Sequence, residues 1–320
     1  MRKLMFAALL VIAVAVVATA APSGKTYTFY AIGVQPGVDT FFATVYKGMK
    51  AAADSFPVQL NYLGLAGDEV NAAGVANKLE VAIAAKPDGI ICGLWFTESS
   101  GKLLNEAIAK GIPVLAYNTP DTRSDDVRTK YLGYVGQDER TTGEILAKAT
   151  LTKTKIIRTV VGLMYPGSTP IENRASGIMR VMADNNIPIE KLNLTTDPAT
   201  ATNVLGAYLT KYPETNVVFV LGPVSVNPAL QLLKDRGLIG KVSIATFDID
   251  QKTIDGIDSG TILYTVCQQP FAQGFLSVEQ LYLYNAFGVL PPVSTPTGPT
   301  LVDKSNLDIV KKQLAATGGS

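Results

Sequence analysis

Polar and aromatic side chains recur in this sequence just after short apolar runs, and their chemical types suit the binding of a polyhydroxylated molecule. Aromatic rings can stack on the carbon face of such a ligand, while carboxylate, amide and guanidinium groups hold its hydroxyls in paired hydrogen bonds. The candidate ligand-binding residues are Asp39, Phe41, Phe42, Trp95, Asn118, Ser168, Arg174, Gly222, Asp248 and Gln268. Each has a structural alternative, such as core packing for Trp95, a surface ion pair for Arg174 and a turn for Asn118. It is their joint placement that favours a binding site.

The same sequence lacks the common catalytic and metal-binding motifs. It contains no His, so neither a Ser-His-Asp triad nor an HExxH zinc site can be built from it. Residues 162–169 keep the spacing of a phosphate-binding loop but place Ser168 where that loop needs a lysine. The acidic pairs Asp125-Asp126 and Asp138-Glu139 fall in a loop and at a helix start, where solvated charge or capping is expected. We therefore expect no enzymatic activity, no cofactor and no metal.

Overall composition narrows the range of partners. The 320 residues carry 28 Lys and Arg against 27 Asp and Glu, and only 17% of the chain is charged. A net charge of +1 lacks the basic excess that phosphate neutralisation needs, so nucleic acid is not an expected partner. Cys92 and Cys267 each sit in an apolar run, where a free cysteine behaves as a small buried hydrophobe.

Alternating strands and helices must position the candidate residues. Apolar β-branched runs predict strands, and apolar residues at steps of three and four predict helices. The first series is strand 26–32, helix 41–55, strand 58–63, helix 69–85, strand 89–94, helix 101–110 and strand 113–117. After residues 131–135 come helices 139–151, 171–185, 229–236 and 254–259, strands 156–163, 217–221, 242–247 and 261–266, and helices 271–287 and 306–315. This repetition predicts two similar α/β lobes with parallel sheets flanked by helices, in which ligands bind beyond the carboxyl ends of the strands.

The N-terminus predicts an export signal. Arg2 and Lys3 precede an uncharged apolar run over residues 4–17, and residues 18–20 offer small side chains where a signal peptidase reads them. A permanent membrane anchor is the alternative, because the uncharged stretch over residues 4–21 approaches the length of a membrane span. We favour removal of residues 1–20, with cleavage near Ala20, since the small residues fall at the right distance from the apolar run.

Seven ordered segments carry a family resemblance. They lie at 39–54, 84–95, 107–119, 134–148, 172–177, 243–250 and 268–275, and include DTFFATVYKGMKAAAD, YVGQDERTTGEILAK and QQPFAQGF. Together they resemble the periplasmic sugar-binding proteins of bacterial ABC transporters, over about residues 24–318. The resemblance implies a type I periplasmic binding fold, in which two Rossmann-like lobes joined by a three-segment hinge close on a monosaccharide. It also implies a periplasmic monomer whose partners are a small sugar and an ABC permease in the inner membrane.

The same resemblance implies roles for individual residues. Asp39 stands where the family presents an acceptor for a sugar hydroxyl, and Phe41 and Phe42 stand where it stacks aromatic rings on the sugar. The polar contacts of the family correspond to Asn118, Arg174, Asp248 and, at the hinge, Gln268.

Three positions depart from the family. Trp95, Thr119 and Gly222 stand where relatives often have Asn, Arg and Asn, so fixed polar contacts are fewer. A pocket with fewer donors discriminates less against a missing hydroxyl, which favours a pentose or hexose in deoxy or alkylthio form. An ordinary aldose held through backbone groups or water is the equal alternative.

The resemblance further implies chain crossings near Gln137, residues 268–269 and residues 297–299. One lobe would comprise 24–136 and 270–297, and the other 138–267 and 299–318. The leading hypothesis for function is capture of a sugar and its delivery to a permease. The alternative is a periplasmic sensor that presents the bound small molecule to a membrane receptor. An enzyme on this fold is not favoured, because no sequence motif for an activated nucleophile, a catalytic pair of groups or a cofactor loop is found.

Overall fold

Two six-stranded sheets organise the chain in a computed structural model that describes residues 24–317. The predicted export signal over residues 1–20 lies outside the described residues. The strands are β1 (Tyr27–Val34), β2 (Val58–Leu65), β3 (Gly89–Cys92), β4 (Val114–Tyr117), β5 (Tyr134–Gly136), β6 (Thr159–Leu163), β7 (Ile189–Asn193), β8 (Val217–Val220), β9 (Ser243–Phe247), β10 (Ile262–Cys267), β11 (Ser294–Pro296) and β12 (Thr300–Val302). The helices are α1 (Thr40–Ser55), α2 (Ala72–Ala84), α3 (Thr97–Ala109), α4 (Glu139–Lys153), α5 (Thr169–Asp184), α6 (Pro198–Lys211), α7 (Pro223–Asp235), α8 (Gln251–Asp258), α9 (Pro270–Phe287) and α10 (Leu307–Thr317). Within residues 24–317, no helix has both the length and the hydropathy needed to cross a bilayer.

Strand order separates the chain into two lobes. The first sheet has the order β11-β5-β4-β3-β1-β2 and forms the N-terminal lobe with α1 to α3 and α9. The second has the order β12-β10-β9-β8-β6-β7 and forms the C-terminal lobe with α4 to α8 and α10. Among the described strands, neighbours pair in parallel except β10 and β12.

Both faces of each sheet are buried. In β3 the consecutive residues Ile90 and Ile91 belong to different apolar clusters, one on each face of the sheet. This is why the strands read as continuous apolar runs rather than as alternating patterns. The predicted class, two α/β lobes with parallel sheets flanked by helices, is confirmed.

Several boundaries differ from the sequence prediction. The predicted helix 69–85 is interrupted, because Gly67–Glu69 form a separate 3-10 turn and Asn71 caps α2 by accepting the Gly74 amide at 2.9 Å. Helix α3 begins at Thr97, earlier than the predicted residue 101. Strands β7, β11 and β12 were not predicted, because each is a short edge strand of three to five residues without a continuous apolar run.

The chain passes between the lobes three times. The connections lie between β5 and α4 at Gln137, between β10 and α9 at residues 268–269, and between β11 and β12 at residues 297–299. The second and third are bonded together, since Thr297 Oγ1 donates to the Gln268 carbonyl at 2.9 Å. Three-segment joining of the lobes is thereby confirmed, whereas the exact lobe boundaries stay a prediction.

Close glycine contacts hold one helix pair together in each lobe. In the C-terminal lobe, a Cβ on Gly143 or Gly177 would lie within 2.2 Å of a backbone carbonyl oxygen on the facing helix. In the N-terminal lobe, a Cβ on Gly48 or Gly274 would lie 2.0 Å from such an oxygen. The backbones of α4 and α5, and of α1 and α9, can touch only because these residues lack a side chain.

Candidate functional site

A cavity of about 290 Å³ opens between the lobes, where strands of both sheets end at their carboxyl sides. This volume is at the lower end of the range for small-molecule pockets. Asp39 and Phe41 line it from the N-terminal lobe, Asp248 from the C-terminal lobe and Gln268 from the second connection. The other six predicted residues lie beside or behind the cavity rather than lining it.

Asp39 combines helix capping with a place on the cavity surface. Its Oδ1 accepts the amides of Phe41 and Phe42 at 2.8 and 3.2 Å, which satisfies the first turn of α1. Burial raises the pKa of Asp39, and the two amide hydrogen bonds oppose that effect. Both bonds end on Oδ1, so within residues 24–317 the second oxygen, Oδ2, has no hydrogen-bond partner and can accept a ligand hydroxyl.

Aromatic rings form a series that runs away from the cavity. Phe41 contacts Phe42 edge to face with ring centroids 5.2 Å apart, and Phe42 contacts Trp95 in the same way at 5.4 Å. Trp95 in turn meets Tyr117 at 5.8 Å. Of these four rings, Phe41 is the one that lines the cavity. Phe42 and Trp95 therefore support the Phe41 ring from behind.

Asn118 and Trp95 form a single hydrogen-bonded unit at the end of β4. The Asn118 backbone has a positive φ of 59°, which asparagine tolerates better than most residues. Its Oδ1 accepts the Trp95 indole N–H at 2.8 Å and the Thr119 hydroxyl at 3.2 Å. Trp95 and Thr119, two of the three residues that depart from the family, thus make these hydrogen bonds inside the N-terminal lobe.

Arg174 is buried and held by a carboxylate that the sequence had suggested was solvated. Its Nε and Nη2 donate to Glu139 Oε2 and Oε1 at 2.7 and 2.9 Å, and its Nη1 donates to the Leu221 carbonyl at 3.1 Å. Burial alone would lower the pKa of Arg174, but the Glu139 carboxylate raises it overall, so the guanidinium stays charged.

The expectation of solvation or capping is therefore wrong for Glu139, which is only 5% exposed. It is right for its neighbour Asp138, which caps α4 by accepting the Thr141 amide at 2.6 Å. Glu139 and Arg174 are 35 positions apart in sequence and meet only because α4 packs closely on α5.

Asp248 and Gln268 form a polar pair on the cavity surface. Gln268 Nε2 donates to Asp248 Oδ1 at 2.6 Å, and Arg174 Nη1 lies 3.9 Å from Asp248 Oδ2. The pKa of Asp248 is raised to about 6 overall, mainly by burial and in smaller part by Glu139 and Asp39. Arg174 and the Gln268 hydrogen bond oppose this rise. Gln268 is 2% exposed, and its Oε1 has no hydrogen-bond partner in the described part of the chain. The pair can offer a carboxylate and an unpaired amide oxygen to a ligand.

Ser168 and Gly222 each precede a helix beside the cavity. Ser168 comes directly before α5, and its hydroxyl makes no capping hydrogen bond. Gly222 comes directly before α7, where an added Cβ would lie 2.4 Å from the Met164 methyl group. Met164 lines the cavity and fills the space that a side chain at position 222 would need.

Polar residues that were not predicted also line the cavity, among them Tyr165, Asn227 and Gln313. Tyr165 follows β6 by two residues and is 43% exposed, so its position after a strand was a usable signal. Asn227 lies within α7 and Gln313 within α10. Sequence patterns do not distinguish a helical amide that faces a cavity from one that faces solvent.

The chemistry available at the cavity is hydrogen bonding and ring stacking. Cys92 and Cys267 are unpaired and buried, as predicted. Burial raises the pKa of the Cys92 thiol to about 12 and that of Cys267 to about 11. Within residues 24–317, no group of three or more potential metal-binding side chains comes together.

Sequence comparison places this chain among binding proteins. The model of the family described as periplasmic binding protein domain matches residues 30–286. A xylose/arabinose-binding protein of Sulfolobus acidocaldarius is 24% identical over 279 residues, which cover 83% of this chain and 69% of the relative.

Solved structures agree with this placement. A carbohydrate transporter of Acidothermus cellulolyticus in complex with myo-inositol has a TM-score of 0.81 and 29% identity, covering 92% of this chain and 99% of its own. A glucose-galactose binding protein of Geobacillus stearothermophilus has a TM-score of 0.78 and 25% identity, covering 88% and 99%. The resemblance carried by the seven segments is thus confirmed, and the chain belongs to the periplasmic binding protein domain family.

Proposed function

We propose that this protein captures a monosaccharide between its lobes and delivers it, chemically unchanged, to an ABC permease. The observation that carries the proposal is that Asp39 and Asp248, one from each lobe, line a single cavity together with the Phe41 ring. Carboxylates that bind hydroxyls and a ring that covers the carbon face suit a sugar. The relatives named above include a xylose/arabinose-binding protein, a glucose-galactose binding protein and a transporter in complex with myo-inositol.

The ten candidate residues then divide into two groups. Asp39, Phe41, Asp248 and Gln268 contact the sugar directly, joined by Tyr165 and Asn227. The second group does not line the cavity and holds the side chains of the first group in position. It consists of Phe42, Trp95, Asn118, Ser168, Arg174 and Gly222. Arg174 acts on the site through its charge, 3.9 Å from Asp248 Oδ2, since its three hydrogen bonds go to Glu139 and Leu221.

Delivery requires a change of shape that a partner can read. A ligand that contacts both lobes favours the state in which they are closer together, because it gains contacts only there. The protein would act as an exported monomer in the periplasm, after removal of residues 1–20 near Ala20. Its partner would be an inner-membrane permease that engages the closed lobes.

A thermal-shift screen over pentoses, hexoses and inositols tests the proposal, because a ligand that binds only the folded state raises the unfolding midpoint. Hits are then measured by calorimetry against the Asp248→Asn variant and against Asp235→Asn, which changes an exposed aspartate of α7. We expect the first variant to weaken binding and the second to leave it unchanged. If no sugar moves the midpoint, or if mass spectrometry finds a new product, capture without chemistry is wrong.

The residues that line the cavity also bear on which sugar binds. Neither Lys nor Arg lines the cavity, so a hydroxyl missing from a deoxy or alkylthio pentose or hexose leaves no charged donor unpaired. Competition calorimetry should place ribose within about tenfold, or roughly 1.4 kcal/mol, of its deoxy and methylthio relatives. A larger preference for ribose would show instead that backbone groups or water replace the missing donors.

A further inference from the structure

We propose that the cavity selects sugars by charge, accepting a neutral or amino sugar and rejecting the sugar acid of the same stereochemistry, and that Glu139 enforces this selection. The inference rests on the proposed function and deepens it by naming the class of sugar.

The charged side chains that line the cavity are both acidic. Asp39 and Asp248 contribute carboxylates from opposite lobes, and the lining includes no lysine or arginine. A ligand carboxylate held between them would meet like charges in a partly buried space, where repulsion is weakly screened. A hydroxyl or an ammonium group at the same place would donate to them.

Arg174 is the cation closest to these carboxylates among the contacts described, with Nη1 3.9 Å from Asp248 Oδ2. In a site without Glu139 it would supply a positive charge to the cavity. Instead its Nε and Nη2 bind both oxygens of Glu139, and its guanidinium lies 4.4 Å from the centre of the Phe247 ring. The positive charge is thus neutralised on the side away from the ligand.

The titration of the cavity acids agrees with this geometry. The pKa of Asp248 is raised to about 6, first by burial and further by Glu139 and Asp39, despite the attraction of Arg174. Burial also raises the pKa of Asp39. Burial disfavours a charge of either sign, but the effect of Glu139 and Asp39 on Asp248 indicates that an additional negative charge is unfavourable at this place.

Glu139 is held in position independently of any ligand. Gln137 Nε2 donates to its Oε2 at 3.0 Å, so the pair with Arg174 is anchored to the first connection between the lobes. Both members of the ion pair are at least 95% buried as side chains. Arg174 would have to break its two hydrogen bonds to Glu139 before it could bind solvent or a ligand carboxylate instead.

Calorimetry with matched trios tests the proposal: galactose, galactosamine and galacturonate, and glucose, glucosamine and glucuronate, with the trio chosen whose neutral member binds. In the wild-type protein we expect the acid to bind at least about tenfold more weakly than the neutral sugar, and the amino sugar at least as tightly. The variant Glu139→Gln keeps an oxygen acceptor but frees the charge of Arg174, and should reduce the penalty on the acid by about tenfold. The matched control Glu144→Gln changes another paired carboxylate of α4, which binds the exposed Arg180 at 2.9 Å, and should leave the ratios unchanged.

The double variant Glu139→Gln, Arg174→Gln guards against loss of folding, because it removes both buried charges together. It should still reject the acid. A wild-type protein that binds the acid as tightly as the neutral sugar overturns the proposal, as does a double variant that admits the acid, or a folded Glu139→Gln variant with unchanged ratios. If neither trio binds, the comparison is made with the neutral sugar found in the thermal-shift screen, its amino analogue and its acid. If that screen finds no sugar, the proposed function itself fails and the charge rule fails with it; a neutral sugar that binds no more tightly than its acid refutes the charge rule alone.

Discussion

Gln268 donates a 2.6 Å hydrogen bond from Nε2 to Asp248 Oδ1, and this bond joins the second lobe connection to the cavity surface. The carbonyl of the same glutamine accepts the hydroxyl of Thr297 from the third connection. A carboxylate that we expect to contact the sugar is therefore bonded to the segments about which the lobes would turn. Ligand occupancy and the geometry of the connections should be coupled through these two residues.

The Asp248→Asn variant should be more stable than the wild type at high pH. The pKa of Asp248 rises from 3.8 to about 6 in the folded state, so the folded protein holds a proton that the unfolded chain releases between these values. The stability contributed by this group is present at low pH and is lost as pH rises through about 6. We expect the variant to gain about 3 kcal/mol in free energy of unfolding at about pH 8, with a smaller gain at about pH 4.

Urea unfolding at both pH values measures this difference, with Asp235→Asn as the exposed control expected to change little at either. A gain that is equal at the two pH values would show that desolvation of the Asp248 charge is not its source.

Removing one partner of the buried Glu139–Arg174 pair should destabilise the fold. Glu139→Gln leaves the guanidinium buried and charged, which typically costs about 3 to 5 kcal/mol in free energy of unfolding. Glu144→Gln breaks a pair whose arginine is 57% exposed and should cost less than about 1 kcal/mol. Chemical denaturation compares the two variants, and equal losses would mean that the Glu139 pair contributes no more than a surface contact.

Two substitutions at Asp39 should separate its capping role from its role toward the ligand. Asparagine also caps helices, so Asp39→Asn should retain stability, whereas Asp39→Ala should lose about 1 kcal/mol along with the hydrogen bonds to Phe41 and Phe42. Both variants lose the carboxylate and should bind the sugar at least about tenfold more weakly. Thermal unfolding and calorimetry on the same samples give the two readouts. Full affinity in Asp39→Asn would remove the carboxylate from the list of ligand contacts.

Sugar binding should bring the lobes closer together. The cavity draws Phe41 from one lobe and Asp248 from the other, so a ligand that touches both stabilises the closed arrangement. Small-angle scattering should give a smaller radius of gyration with saturating ligand than without it. The variant Asp248→Asn at the same sugar concentration serves as the control, and an unchanged radius in the wild type would contradict hinge closure.

Four of the ten candidate residues line the cavity, and their role toward a ligand stays a prediction. Following a strand is not sufficient for this, because Asn118 directly follows β4 and does not line the cavity. Asp39, Phe41, Asp248 and Gln268 lie within seven positions of the end of β1, β9 or β10 and meet at one cavity, because parallel strands end on the same side of each sheet. Position after a strand says nothing about hydrogen-bond partners, which is why the role of Glu139 was misassigned. Its partner is on another helix, and the contact depends on packing that no local pattern encodes.

The fold class could be predicted because central strands such as β3 and β8 are continuous apolar runs in the sequence. Short edge strands such as β11 and β12 have no such run. The same limit applies to Asn227, whose place on the cavity depends on how α7 is rotated about its axis.

The glycine contacts between helices have a mechanical consequence. Helix α4 begins directly after the first connection and α9 directly after the second, and each is joined backbone to backbone to a neighbour, α5 or α1. Because no side chain separates the two backbones at these glycines, we expect α4 to move together with α5, and α9 together with α1. If the lobes move, we expect the change in backbone angles to be confined to the few residues around Gln137 and Gln268, with each lobe staying rigid. A bulkier residue at Gly177 or Gly274 would push the paired helices apart and make the lobe less rigid.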